Sequence, residues 1–121
     1  MNALPKLSPI GIHRLKQVRE QIQKQPHLYN HDDIRMETAC GTVCCIMGRL
    51  CLNAGLPDHR TTRLNAADLI ELPAKDCSDL FFMPSTLVGI ETANIAFFSP
   101  DPLKRAAAGV KIIDAFIARH S

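Results

Sequence analysis

His27, Tyr29, His31, Asp32 and Asp33 crowd into one short stretch of this chain, and Cys40, Cys44 and Cys45 follow soon after. Two pairs stand four residues apart, His27 with His31 and Cys40 with Cys44, a spacing that zinc ligands use. The order of two histidines followed by two cysteines is not a common finger, so no resident cofactor is expected and zinc on His27, His31, Cys40 and Cys44 stands as an alternative. A second chemistry is nucleophilic. Cys40 lies just before a predicted helix start, where the helix dipole lowers a thiol pKa, and His27 or His31 could serve as its base with Asp32 or Asp33 orienting it. Against both stands simple packing. A free cysteine behaves as a small hydrophobe, and Cys44, Met47 and Cys51 recur at helical spacing, with Cys77 read the same way.

A third chemistry is anion capture. Thr42 suits the N-cap of a helix over about 42–54, and Gly41 before it allows a tight entry turn or a close ligand approach. The first amides of such a helix, with its positive dipole end, form a natural seat for phosphate or carboxylate. His27, Tyr29, His31, Arg35 and Arg49 would complete the site: arginine offers a planar fork for phosphate and Tyr29 a ring for a base. The competing reading is that Thr42 only caps a buried helix and that Arg49 snorkels to solvent.

The elements that must position these residues read as helices. Ser8 caps the first, Pro9 takes its first position, Ile12, Leu15, Val18 and Ile22 recur every three or four residues, and Pro26 stops it. Its other face is the most basic in the chain, read as solvated or as a contact for an acidic partner. Residues 27–39 show no period and read as an ordered connection with a short extended piece. The 42–54 helix is apolar around most of its circumference and so is buried at the centre, with Gly48 marking the close approach of another backbone. Short helices follow over 65–72, capped by Asn65, and over 74–82. Residues 83–98 read as a loose helix or buried loop. The last helix is capped by Ser99, with Leu103, Ala106, Ala107, Val110, Ile113 and Ile117 as its apolar stripe.

The stretch Cys40–Gly48, C-G-T-V-C-C-I-M-G, resembles a family of small bacterial and phage proteins built around C-G-T-x-x-C-[IL]-x-G. Cys40, Gly41, Thr42, Cys45, Ile46 and Gly48 match, while Cys44 and Met47 stand where the family more often has small residues. Fainter similarity continues through Ala66–Leu72, which resembles a short helix ending in a Leu-Gly-Leu-like run, through Leu80-Phe81 and Met83-Pro84, and into the C-terminal helix. The resemblance implies a helical fold and a phage-related setting, and supplies no mechanism.

Length and composition bound the rest. At 121 residues and 13.4 kDa the chain is expected to form one domain, residues 1–121, able to bury a core without metal or disulfides. A net charge of +2 is too weak to name a polyanion, and aromatics at 5% leave few platforms for stacking bases, so a nucleic-acid polymer is not expected as a partner. No signal-like or membrane-length apolar run occurs, and an odd cysteine count suits reduced thiols, so a cytoplasmic protein is expected with no membrane partner. No phosphate loop, dinucleotide fingerprint or H-E-x-x-H motif is present. The expectation is an all-α domain of four to six helices around the 42–54 helix. Its expected role is a non-enzymatic, phage-type counter-defence protein that sequesters a small anionic, nucleotide-like ligand. The alternatives are a partner-masking interaction module or homodimer acting through 83–98, and the Cys40-dependent enzyme.

Overall fold

A computed structural model describes residues 4–34, 36–38, 41–56 and 62–121. The described chain is all-α, with seven α-helices and a two-stranded antiparallel hairpin. Helix α1, Pro9–Lys24, begins as the sequence dictates. Ser8 Oγ accepts from the Gly11 amide, Pro9 occupies the first turn, and Leu15, Val18 and Ile22 are buried. A 3-10 turn at Pro26–Leu28 leads into the 29–34 connection, and the hairpin pairs β1, Met36–Thr38, with β2, Gly41–Val43.

Helix α2, Ile46–Asn53, starts four residues later than the 42–54 expectation. The hairpin claims Gly41 and Thr42, pairing Thr42 with Glu37, and Cys45 becomes the N-cap. Thr42 is therefore not the cap, because backbone pairing across the hairpin keeps it extended. Gly48 does mark a close approach: a Cβ there would collide with the Ile34 carbonyl oxygen.

Helix α3, Thr62–Leu69, starts before Asn65, which lies inside it rather than at its cap. Its exit is a Schellman-type turn, with the Glu71 amide bonded to the Asp68 carbonyl, the Leu72 amide to that of Ala67, and Glu71 itself left-handed at φ 57°. A 3-10 turn at Ala74–Asp76 and helix α4, Ser78–Phe81, fill the 74–82 region. Residues 83–98 resolve into α5, Ser85–Val88, and α6, Ile90–Phe98.

Helix α7, Pro102–Arg119, is capped by Asp101, whose Oδ1 accepts from the Leu103 amide, rather than by Ser99. It is the hub of the fold, packing against α1, α4, α5, α6 and the Pro26–Leu28 turn, whereas α2 packs chiefly against α1 and α3. The buried face of α7 is Ala106, Ala108, Gly109, Ile112, Ile113 and Phe116. That face is rotated from the expected stripe, and Leu103 and Ala107 are left in solvent. No described helix is long and apolar enough to cross a membrane.

Candidate functional site

The 27–33 cluster is drawn together, but inward. Tyr29 is extended and His31 enters the turn closed by the Asp33 amide on the Asn30 carbonyl, and both side chains point into the core, nearly fully buried. The Phe81 carbonyl can only accept, so His31 Nε2 carries the proton and donates to it at 3.1 Å. Nδ1 is then the acceptor for the Tyr29 hydroxyl at 2.7 Å. The imidazole also meets the Phe97 ring edge to face, with centroids 4.8 Å apart, and the His31 amide donates to the Ala96 carbonyl. Burial lowers the His31 pKa to about 4, outweighing the Phe81 hydrogen bond that raises it. Burial likewise raises the Tyr29 phenol well above its ordinary value.

The Tyr29 ring lies against Gly109 of α7, where a Cβ would approach its Cε2 and Cζ to 2.7 Å. Its carbonyl accepts from Arg105 Nε of the same helix. Tyr29 and His31 therefore clasp the connection to α4, α6 and α7. A ring fixed in this way cannot stack on a base, and both imidazole nitrogens are engaged within the protein. The ligand role expected of Tyr29 and the ligand, base and metal roles expected of His31 are corrected accordingly. His27 stays exposed on the 3-10 turn.

The start of α2 is closed by the chain itself. Cys45 Sγ accepts from the Gly48 amide at 3.4 Å, the Cys45 amide donates to the Asp33 carbonyl, and residues 43–48 are all buried. The anion seat expected at Gly41 and Thr42 is not formed, because the helix begins elsewhere and its first turn has no open face. Arg49 neither snorkels freely nor meets a carboxylate among the described residues: its Nη2 donates to the Thr42 carbonyl at 2.7 Å and to that of Leu28 at 3.4 Å. Beside it, Gln21, Gln25, Tyr29 and Cys44 help enclose a cavity of about 10 Å³, room for a single water and far too little for a nucleotide.

The described thiols, Cys44, Cys45, Cys51 and Cys77, are all buried. Burial raises the Cys45 pKa to about 11, and burial, aided by the Asp76 charge, raises that of Cys77 to about 12. Such thiols stay protonated and unreactive at neutral pH. Among the described residues no three His, Cys, Asp or Glu side chains converge as metal ligands, and Cys44 is packed in the core. Arg35 and Cys40, named above for the ligand, nucleophile and zinc readings, lie outside the described residues.

What sequence reasoning missed is a surface. Between the end of α1 and the first half of α7 runs an apolar groove of about 390 Å³, lined by Gln23, Pro26, Leu103, Ala107, Val110 and Lys111, with Ala106 beneath. Leu103 is 70% exposed and Phe98, just across the α6–α7 turn, 71%. The signal was present in α7, which carries more apolar residues than one buried stripe requires. Ile90 and Met83 are also exposed, so the 83–98 segment is neither a loop nor wholly buried. Comparison with family models, curated proteins and solved structures finds no match to this chain.

Proposed function

We propose that this protein is a small non-enzymatic binding module that recognises, and thereby masks, another protein through the α1–α7 groove. The observation that carries the reading is the groove itself, a concave apolar surface whose rim residue Leu103 is left mostly in solvent. Exposed large apolar side chains gathered around a concavity favour burial against a partner. The polar residues whose types suit chemistry support the same reading, because the Tyr29–His31 pair and the Cys45 sulfur are committed to holding the fold. A phage-related, counter-defence setting is what the C-G-T resemblance adds to this proposal.

The test is a photoreactive benzophenone amino acid at position 103, irradiated in the cells that make the protein, with the same residue at exposed position 75 as control. A discrete adduct to one protein is expected at 103 only, and it should disappear when Ala107→Glu is added. Indistinguishable adduct patterns from the two positions would overturn the proposal.

A further inference from the structure

The charges around the groove say what kind of segment it takes. Lys111 lines the rim on α7, and Lys104, seven residues earlier, shares its side of the helix. Neither lysine meets a carboxylate among the described residues. The nearby acids are already engaged. Asp114 pairs with Arg19 at 2.6 Å, Glu20 pairs with Lys24 at 2.8 Å, and Asp101 caps α7. The groove is thus an apolar floor beside unanswered positive charge, with the neutral amide of Gln23 on the opposite rim.

The floor has the form that suits a helix. Ala106 and Ala107 keep it low enough for a third backbone to approach, and Leu103 and Val110, one turn to either side of them, leave room for apolar anchors at helical spacing. A second copy of this chain fits poorly. A two-fold contact through the groove would set Lys104 and Lys111 against their own counterparts and would bring no free carboxylate to answer them.

We infer that the groove's occupant is an amphipathic helix of a partner protein, with an apolar stripe flanked by Asp and Glu. This rests on the protein-binding reading above and specifies the partner's chemistry. The flanking carboxylates answer Lys104 and Lys111, while the apolar stripe covers Leu103 and Val110.

The experiment titrates the full chain with two synthetic helical peptides that share a Leu stripe at i, i+3, i+4 and i+7 and differ only in carrying Glu or Lys elsewhere. Amide chemical shifts and affinities are recorded. The Glu peptide should bind at least about tenfold more tightly than its Lys twin, more weakly as salt rises, and with shifts gathered on Gln23, Leu103, Ala107 and Val110. The double variant Lys104→Glu/Lys111→Glu, made at two exposed positions, should reverse the ranking. Equal affinities, or no binding of either peptide, would overturn the inference. So would a dimer in sedimentation that Leu103→Glu returns to monomer, since the occupant would then be a second copy. If the Glu peptide fails while the position-103 adduct persists, only the partner's chemistry is wrong; if the adduct is lost as well, the binding module itself falls.

Discussion

Tyr29 and His31 show how a cluster with the composition of an active site can serve as a fastener. The turn at 30–33 brings His31 inward beside Tyr29, and the Phe81 carbonyl then fixes which imidazole nitrogen keeps the proton. One consequence can be measured. His31 binds a proton at about pH 4 in the folded protein, against an ordinary value of 6.5, so the unfolded chain takes up the extra proton between those values. Stability supplied by neutral His31 is whole above pH 6.5 and lost as the pH falls towards 4, a change of about 3 kcal/mol. Urea melts across this range should show that slope in the native sequence and lose most of it in His31→Gln. Tyr29→Phe leaves Nδ1 buried without its donor and should cost about 1–3 kcal/mol. The residue types of this cluster were legible in the sequence, but their direction was not. Direction depends on Gly109, Ala96 and Phe81, which the chain delivers from far downstream.

At the scale of elements, the helices with strong local signals begin where the sequence puts them, and α1 is the clear case: Ser8, Pro9 and the Leu15–Val18–Ile22 period all agree. Boundaries moved wherever two residues could cap and a tertiary contact chose between them. Thr42 and Cys45 both offer an acceptor, and the hairpin pairing of Thr42 with Glu37 leaves the role to Cys45. Ser99 and Asp101 compete locally: Asp101 Oδ1 accepts from the Leu103 amide and caps α7, while Ser99 Oγ accepts from the Asp101 amide. Gly48 was read correctly as a place where backbone meets backbone, and Gly48→Ala should cost about 1–3 kcal/mol by forcing α2 off the Ile34 carbonyl. The opposite sign is expected at the exit of α3. Glu71 holds a left-handed conformation that glycine adopts freely, with only a solvent-exposed hydrogen bond from Ser8 to set against it. Glu71→Gly should therefore stabilise the protein by about 1 kcal/mol, read as a higher midpoint in thermal unfolding.

Over the whole molecule, the all-α class was legible because apolar periodicity recurs along the chain, but the choice of central helix was not. The 42–54 segment holds the longest strongly apolar run, Val43–Leu52, yet α7 gathers more of the fold around it. A long amphipathic helix reaches more neighbours than a short one, and its length is what lets α1, α5 and α6 all pack on it. Its two faces should respond differently to substitution. Phe116→Ala, at a fully buried position, should cost about 3–5 kcal/mol, a large share of a domain's usual margin. Leu103→Ala, on the groove side, should change stability by no more than about 0.5 kcal/mol while weakening partner binding. Denaturant midpoints of the two variants separate the load carried by the fold from the surface proposed for recognition.

With one tyrosine and no tryptophan in the sequence, nearly all the near-ultraviolet emission of this chain originates from a single phenol. Because that phenol sits at the junction of the connection with α7, its brightness and anisotropy act as a built-in gauge of whether the junction is closed. Unfolding, acid loosening and mutations at the clasp can all be followed optically without attaching a dye.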